Sequence, residues 1–600
     1  MPMFFQRGLL DDGPGAPNHS PQDDDDSPHH RFDVIVVGSG AGAMLAACRA
    51  HDLGQSVLIV EKTNLYGGTS AVSGGGVWIP NNDHIARDGG QDSAEDALMY
   101  LRAATQGEVS ETKLRAYVAH APEMLRYAEA RTHVRYRANP FYADYYQALP
   151  GAKLGYRSLD AEPFDGRRLG DDILKMRETS PTMLIFGRVT MSTSEAVTLL
   201  SRAPGWRKCA IAVLGKYWLD FPWRLRSRRD RRLNMGSALI GALRLSLMER
   251  NIPLWLNTAL DSLLFEGDRV AGITARRNGR TVKLHATRAV ILATGGFESN
   301  QAMRERYLPK PTLAQWTGAP RCNTGDGIVA GMNVGAAVAN MQHAWWTPTI
   351  QVPGEEKPRG LFSERALPGC LVVNRLGRRF ANEAQDYLDF VLAMYDDHAK
   401  TGANLPAWMI FDARFRRKYN AGPLVSGSLM PDFLLPRRWR GKVYFRGETL
   451  EQLAAQIGVD ADGLRQSVER INAFAKTGVD LDFHKGSNAY DTFYGDHSVK
   501  PNPCLAPLEQ GPFYALRLDA GDIGTKGGLQ TDEFSRVLSE AGEPIPGLYA
   551  TGNTSASVTG PSYPGAGATL GPAMTFGFIA ANHLAGVYDA QGKSLCSDRR

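Results

Sequence analysis

"FDVIVVGSGAGAMLAACRAHDLGQSVLIVEK", residues 32–62, contains the parts of one βαβ unit. Its apolar runs 34–37 and 57–60 predict two buried parallel strands, and the segment 41–53 between them has the composition of a helix. Gly54 lies where a helix commonly ends on glycine. The stretch therefore predicts a fold of the α/β class, with a parallel sheet and helices packed against it.

The turn between the first strand and the helix is rich in glycine. Gly38 permits the tight turn, and Gly40 lets the backbone approach a pyrophosphate that the helix N-terminus attracts. Ala43, at the third fingerprint position, is small enough for close packing of the helix on the strand. Glu61 lies 23 residues after Gly38, where a carboxylate can accept hydrogen bonds from a ribose hydroxyl. Because these parts occur in order, the sequence predicts a Rossmann-type dinucleotide-binding domain.

Three later segments extend this pattern. "NLYGGTSAVSGGGVW" (64–78) is a second glycine-rich loop directly after the acid, which an NAD-binding domain does not need. "AVILATGGFESN" (289–300) and "GLYATGNTSASV" (547–558) each combine a buried strand with a glycine turn. Together the four segments resemble flavoproteins of the fumarate reductase and ketosteroid dehydrogenase class. The resemblance implies FAD, bound non-covalently.

The same resemblance implies which residues contact FAD. Its adenine end would lie on the turn 38–42 and Glu61, with Ala259 of "NTALDSLL" hydrogen-bonded to the adenine. Asn553 and the backbone near Leu570 would hold the ribityl chain and the isoalloxazine. The implied contact residues are Gly38, Ser39, Gly40, Ala41, Gly42, Glu61, Lys62, Gly68, Thr69, Ser70, Ser73, Gly74, Gly75, Gly76, Ala259, Thr294, Gly295, Asn553, Thr569 and Leu570.

At 600 residues the chain is too long for one core, so we expect at least two domains. The order of the segments predicts a discontinuous FAD-binding domain, residues 31–344 and 525–590, with an insertion at 185–235. Residues 345–524 form the predicted α+β substrate domain, inserted into the FAD-binding domain. Residues 1–30, acidic and rich in proline, predict a disordered leader without the pattern of a signal peptide.

Composition limits the class of partner. The net charge of +5 is unevenly distributed, since residues 202–232 carry ten basic and two acidic side chains. One basic segment does not make a nucleic-acid-binding protein, so no such role is expected. The scattered cysteines favour neither disulfides nor a metal site. We expect a cytoplasmic protein, because apolar runs are too short to span a membrane.

The segment 202–232 has two interpretations. It mixes Trp, Tyr and Phe with Arg and Lys, a composition that suits contact with an anionic membrane surface. A solvated basic insertion has the same composition. Both interpretations remain open at this point.

"SYPGAGATLGPA" (562–573) carries the most specific resemblance. Together with "GDIGTKGGLQTD", "AWWTP" and "RRFANEAQDYLD" it closely resembles the 3-ketosteroid Δ1-dehydrogenases, over about residues 32–590 except 185–235. The resemblance implies an apolar 3-keto steroid as substrate and an electron acceptor that the sequence does not identify. It also implies that the Tyr563 hydroxyl and the Gly567 amide hold the C3 carbonyl oxygen as an oxyanion hole, with a glycine allowing that oxygen to sit against the backbone.

The family's base is a tyrosine shortly after an Asn-Glu pair, which corresponds to Tyr387 in "NEAQDY". Asp386 stands where the family often has proline. A free phenol titrates near pH ~10, so we expect either a site that favours the Tyr387 anion or a base that sheds its proton as it takes one. A second tyrosine assists the base, and the Asp-Tyr match favours Tyr145 over its neighbours Tyr142 and Tyr146.

Three alternatives remain. A Δ4-(5α)-ketosteroid dehydrogenase would hold the carbonyl in the same way. A fumarate- or urocanate-type reductase would place an arginine in the C-terminal loop, and residues 559–575 contain no Arg, Lys or His. A membrane-surface or scaffold protein that merely carries FAD is the third.

Overall fold

The computed structural model describes residues 30–181, 184–185, 187–200 and 205–588. The predicted leader lies outside the described residues except for its last residue, His30.

The predicted βαβ unit is present. It consists of the strand Arg31–Val37, the helix Ala41–Asp52 and the strand Val57–Val60, which pairs parallel with the first strand. Gly38 has φ +111°, and a Cβ there would lie 2.2 Å from the carbonyl oxygen of Ala293, so the turn requires glycine.

This unit is the centre of an eight-stranded sheet. Its main path runs in the order Leu254–Trp255, Val57–Val60, Arg31–Val37, Arg280–Leu292, Arg269–Arg277 and Thr258–Glu266. Pro544–Ala550 pairs parallel with Arg280–Leu292 and antiparallel with Arg536–Leu538. The carboxyl ends of the parallel strands therefore meet at one edge, where doubly wound sheets bind their ligands. The prediction of a Rossmann-type sheet is confirmed.

Helices cover this sheet and its surroundings. They are Ala41–Asp52, Gly68–Val72, Asp83–Arg87, Ala94–Thr105, Glu111–Arg131, Met235–Glu249, Gln301–Tyr307, Asp326–Met332 and Leu570–Leu584. The first and the last of them touch backbone to backbone, because a Cβ on Gly42 would lie 2.5 Å from the Ala573 oxygen and one on Gly577 would lie 2.6 Å from the Gly42 oxygen. The N-terminal ends of these two helices consequently open onto the same space.

A second, antiparallel sheet is formed by strands between residues 344 and 525. It runs in the order Arg359–Gly360, Ala344–Ile350, Phe513–Thr525, Ala407–Phe411 and Cys370–Val373, with Tyr444–Gly447 also on Phe513–Thr525. Its helices are Tyr387–Thr401, Ala413–Lys418, Leu450–Ile457, Ala461–Thr477 and Ala489–Phe493. These bounds lie close to those predicted for the substrate domain, and the division into two domains stays a prediction.

A buried ion pair joins the two sheets. The Arg304 guanidinium, on the helix that follows the first sheet, lies 2.6 Å from the Asp522 carboxylate on the long strand of the second sheet. Both side chains are fully buried, and the Thr317 hydroxyl also donates to Asp522 at 2.7 Å. Removing either charge would leave the other buried without an opposite charge, so this pair stabilises the arrangement in which the sheets meet.

Smaller sheets complete the structure. They pair Ser158–Ala161 with both Val77–Trp78 and Tyr136–Ala138, Phe164–Asp165 with Arg232–Leu233, Leu184–Ile185 with Val189–Thr190, and Val338–Ala339 with Gly528–Leu529.

The region predicted as an insertion, 185–235, contains the helices Thr193–Leu200, Trp206–Leu219 and Phe221–Arg224. It has a small core of its own, made by Val189, Val213 and Tyr217. Within the described residues, none of the helices has the length and apolar character needed to cross a bilayer.

The loop 563–571 packs directly on the strand Val77–Trp78. A Cβ on Gly565 would lie 2.5 Å from the Trp78 ring, one on Gly567 would lie 2.4 Å from the Val77 carbonyl carbon, and one on Gly571 would lie 2.7 Å from the Trp78 oxygen. Gly567 also has φ +98°. Packing therefore requires glycine at these positions, independently of the close approach expected for the C3 oxygen of a substrate.

We predict that Gly567→Ala destabilises the protein much more than Gly54→Ala. Both positions have positive φ, which costs an alanine about 1–2 kcal/mol, but a Cβ on Gly54 meets no atom within 4 Å. Forcing a methyl against the Val77 backbone adds about 1–3 kcal/mol. Urea unfolding followed by tryptophan fluorescence measures both variants, and equal shifts of the midpoint would contradict the packing argument.

Candidate active site

A cavity of about 430 Å³ lies at the edge of the first sheet and reaches the second sheet. Its walls come from all four glycine-rich segments found in the sequence. The predicted contact residues that line it are Gly38, Ser39, Gly40, Ala41, Gly42, Glu61, Lys62, Gly68, Thr69, Ser70, Ser73, Gly74, Gly75, Gly76, Thr294, Gly295, Asn553, Thr569 and Leu570. Ala259 is not among the lining residues, although its neighbours Thr258 and Leu260 are.

The cavity fits a dinucleotide. A Cβ on Gly74 would meet no atom within 4 Å, and one on Gly68 would approach only Gly40, at 4.0 Å. Side chains at these positions would therefore project into the cavity and fill it. The helices Ala41–Asp52 and Leu570–Leu584 both begin here without a side-chain cap, which leaves their N-terminal dipoles available to a pyrophosphate or another electron-rich group.

The acid expected at the ribose is held in place by its neighbours. The Ser39 hydroxyl donates to Glu61 Oε2 at 2.6 Å, and the amide and hydroxyl of Thr63 donate to Oε1, both at 3.0 Å. Lys62 is held by Asp326, at 2.6 Å. The Glu61 carboxylate is thus oriented before any ligand arrives.

Tyr563, Tyr387 and Tyr145 meet at one end of the cavity. The Tyr563 ring lies 5.2 Å from that of Tyr145 and 5.3 Å from that of Tyr387, measured between centroids. The Tyr145 hydroxyl donates to the Tyr387 hydroxyl oxygen at 3.4 Å. The structure thus brings together three side chains that are far apart in the sequence, and all three line the cavity with Gly567.

The two neighbours of Tyr145 lie on different sides of this group. The Tyr142 hydroxyl is 3.4 Å from that of Tyr145 and 2.6 Å from that of Tyr494. The Tyr146 hydroxyl instead accepts a hydrogen bond from the Tyr563 amide at 2.9 Å. Tyr145 is therefore the one in contact with Tyr387, and a chain of phenols runs from Tyr387 through Tyr145 and Tyr142 to Tyr494.

Tyr387 is the first residue of the helix Tyr387–Thr401. Asp386 caps this helix, because its carboxylate accepts from the amides of Leu388 and Asp389, both at 3.0 Å. An aspartate is a strong N-cap, which gives Asp386 a structural role at the position where the family often has proline.

Burial raises the pKa of the Tyr387 phenol well above its usual value, with a further contribution from Tyr563. The hydrogen bond from Tyr145 lowers this pKa but does not reverse the rise. A raised pKa favours the neutral phenol, which differs from the expectation of a site that favours the anion. Of the two possibilities in the sequence analysis, the structure supports a base that sheds its proton as it takes one.

The two donors expected at the carbonyl lie side by side. Burial raises the pKa of Tyr563, whereas the Thr569 hydroxyl, 3.5 Å away, and the Gly567 amide both oppose the rise. A hydroxyl and a backbone amide that both line a buried cavity are the kinds of donor that can stabilise an oxyanion.

Sequence reasoning missed several residues around this group. The Trp345 ring packs edge-on against Tyr563, with 4.8 Å between centroids, and its Nε1 donates to Asn553 at 3.1 Å. Phe362 packs against Tyr387 at 5.3 Å, and Tyr494 ends the phenol chain. "AWW" was a usable signal for Trp345, whereas Phe362 and Tyr494 stand in no recognisable pattern.

Comparison with known proteins supplies the family. Residues 33–570 match the model of the FAD binding domain family. A curated relative, 3-oxosteroid 1-dehydrogenase of Mycobacterium tuberculosis, is 41% identical over 94% of this chain and 99% of its own length.

Comparison with solved structures supports the same family. The 3-ketosteroid Δ1-dehydrogenase from Sterolibacterium denitrificans, in complex with 1,4-androstadiene-3,17-dione, is 56% identical with a TM-score of 0.90, over 93% of this chain and 100% of that chain. A 3-ketosteroid Δ4-(5α)-dehydrogenase from Rhodococcus jostii is 22% identical with a TM-score of 0.59, over 93% and 97%, and shows the common fold. The chain belongs to the FAD-binding-domain family and, within it, to the 3-oxosteroid 1-dehydrogenases.

Proposed function

We propose that the protein is an FAD-dependent 3-oxosteroid 1-dehydrogenase, which converts 3-keto-4-ene steroids to 1,4-dienes. The observation that carries this proposal is the meeting of Tyr563, Tyr387 and Tyr145 beside Gly567 in one buried cavity. The steroid occupies the aromatic end, and FAD occupies the glycine-lined end.

The residues divide the work as follows. The Tyr563 hydroxyl and the Gly567 amide bind the C3 oxygen and stabilise the negative charge that develops on it. This makes a C2 hydrogen acidic, and the Tyr387 oxygen accepts that proton. FAD held at the glycine-lined end would supply the acceptor for the hydride that leaves C1.

The phenol chain explains how a neutral tyrosine can act as the base. As Tyr387 takes the C2 proton, the hydrogen bond from Tyr145 reverses and Tyr387 passes its own proton to Tyr145, and so on through Tyr142 to Tyr494, across spacings of 3.4, 3.4 and 2.6 Å. Tyr494, which is partly exposed, releases its own proton to solvent. Hydroxyl hydrogens rotate freely between donor and acceptor roles, so each phenol can receive one proton and release another.

A dicarboxylate substrate is disfavoured by the charges in the cavity. Of the described residues that line it, Lys62 alone carries a permanent cationic side chain, and Lys62 is paired with Asp326 at the FAD end. The aromatic end suits an uncharged ketone. The 1,2-regiochemistry is supported by the names of the relatives, since a Δ4-(5α) enzyme would use the same hold on the carbonyl.

We propose further that the basic segment contacts an anionic membrane surface. Among its described residues, the apolar side chains of Trp218, Leu219 and Phe221 are 62%, 84% and 61% exposed, and those of Ile211 and Leu225 are exposed as well. The exposed cations Arg207, Lys208, Lys216, Arg226 and Arg228 lie in the same helices and turns. Exposed apolar side chains among cations suit insertion at a charged lipid interface, where a sterol substrate also resides.

The reaction predicts a product. Androst-4-ene-3,17-dione with an artificial electron acceptor should yield the 1,4-diene, identified by mass and ultraviolet spectrum. This substrate already has the 4,5 double bond, so a Δ4-(5α) enzyme would leave it unchanged and would convert only the saturated 5α analogue. That second pattern would overturn the proposed regiochemistry.

Tyr563→Phe should lower turnover by about 10²–10³-fold, the usual effect of losing one oxyanion donor. Tyr387→Phe should lower it at least as much, because the proton acceptor is removed. Tyr395→Phe is the matched control, since that buried hydroxyl donates to the Pro311 oxygen at 3.2 Å and lies outside the cavity lining. Flavin absorbance should be unchanged in all three variants, and near-normal turnover in Tyr563→Phe would exclude its role.

Replacing Trp218, Leu219 and Phe221 by serine should reduce flotation with liposomes that contain anionic lipid. The control replaces Leu154, Val479 and Leu481, which are also exposed apolar residues but lie outside the segment. Binding by the wild type should weaken as salt rises, because the Debye length falls to about 8 Å at physiological ionic strength. Equal flotation of both triple variants would indicate another use for the segment.

A further inference from the structure

The peptide unit that carries Tyr563 is held from both sides. The Lys526 ammonium donates a hydrogen bond to the carbonyl oxygen of Ser562. The Tyr146 hydroxyl accepts one from the amide of Tyr563, at 2.9 Å. The Tyr146 hydroxyl donates in turn to the Asp389 carboxylate at 3.5 Å. The backbone on either side of this peptide bond is thus held by side chains from two other segments, and one of these, Tyr146, is itself held by a third.

Lys526 also contacts the ring that packs on Tyr563. Its ammonium lies 4.3 Å from the centroid of the Trp345 ring, which in turn lies 4.8 Å from the Tyr563 ring. Lys526 therefore acts on Tyr563 through the backbone and, by way of Trp345, through the side chain. It does not itself line the cavity.

Burying the amine of Lys526 costs free energy. Its side chain is fully buried, and burial lowers the pKa of Lys526 well below its usual value, although Asp389, Glu108 and Asp386 oppose the shift. An amine is rarely buried so completely unless its hydrogen bonds serve a purpose. Lys526 has no part in the proposed binding of FAD or in the proposed proton chain. Its hydrogen bond to the Ser562 carbonyl therefore needs another explanation.

We propose that Lys526 and Tyr146 are positioning residues that fix the 562–563 peptide and thereby aim the Tyr563 hydroxyl at the substrate carbonyl. This inference rests on the proposed function. Tyr563 and Gly567 must point at one oxygen, and a rotation of the peptide before Tyr563 would move the phenol while leaving Gly567 in place. A displacement of about 1 Å can lower a rate by about 10²-fold.

The first test compares Lys526→Met with Lys113→Met. Lys113 is a matched control, because it is also buried and donates to a backbone oxygen, that of Ala556, at 3.2 Å. Lys526→Met should lower kcat by about 10–100-fold with flavin content unchanged, whereas Lys113→Met should keep kcat within about 3-fold. Tyr146→Phe, which removes the hydroxyl that accepts from the Tyr563 amide, should behave like Lys526→Met. Wild-type turnover in both Lys526→Met and Tyr146→Phe would overturn the proposal.

A double variant separates positioning from a general effect on the fold. If Lys526 acts through the Tyr563 hydroxyl, Lys526→Met should lower the turnover of Tyr563→Phe by less than about 3-fold, because that hydroxyl is already gone. A full 10–100-fold loss in this background would show that Lys526 acts elsewhere, and the proposal would fail.

A third measurement does not depend on activity. Hydrogen–deuterium exchange of peptides that cover residues 562–571 should be faster in Lys526→Met than in the wild type, and unchanged in Lys113→Met. If the wild type turned over no 3-ketosteroid, the proposed function would fail while this exchange difference could still be observed. Unchanged exchange in Lys526→Met would reject the clamp itself, whatever the substrate.

Discussion

The active end of the cavity depends on the close packing of the loop 563–571 against Trp78. The Trp78 side chain is fully buried, and the Tyr117 hydroxyl donates to the backbone carbonyl oxygen of Trp78. Its indole Nε1 donates to the Asp144 carboxylate at 2.8 Å. Because Asp144 immediately precedes Tyr145, a single tryptophan fixes both the loop that carries the proposed oxyanion donors and the tyrosine that contacts the proposed base.

Asp144 can serve this purpose because its charge is compensated. Burial raises its pKa to about 6, while Arg157, 2.8 Å away, opposes the rise. Arg157 also pairs with Asp92 at 2.6 Å. The Asp-Tyr pair noticed in the sequence therefore has a physical basis, in which the acid anchors the backbone and the tyrosine reaches the cavity.

The features that could be predicted from the sequence are those that a local pattern of residues determines. The turn at Gly38, the acid at Glu61 and the strand ends at Thr294 and Asn553 follow from hydrophobic runs and glycine, and parallel strands bring their ends to one edge. Tyr145, Tyr387 and Tyr563 were indicated only by family resemblance, because no periodicity relates positions so far apart.

Other features depend on tertiary burial, which the sequence does not display. Burial raises the pKa of Tyr387 despite the hydrogen bond from Tyr145, a direction opposite to the expected preference for the anion, and no sequence pattern displays that burial. Nothing in the surrounding sequence "GTKGG" indicates that Lys526 is buried, and no motif marks Tyr494. The phenol chain ends on Tyr494, next to the helix Ala489–Phe493, whereas Tyr142 belongs to the segment that bears Tyr145. Two separate parts of the chain thus contribute to the proposed proton path. Any displacement of one part relative to the other would break the hydrogen bond between Tyr142 and Tyr494, so the proposed path requires that these two segments stay together during turnover.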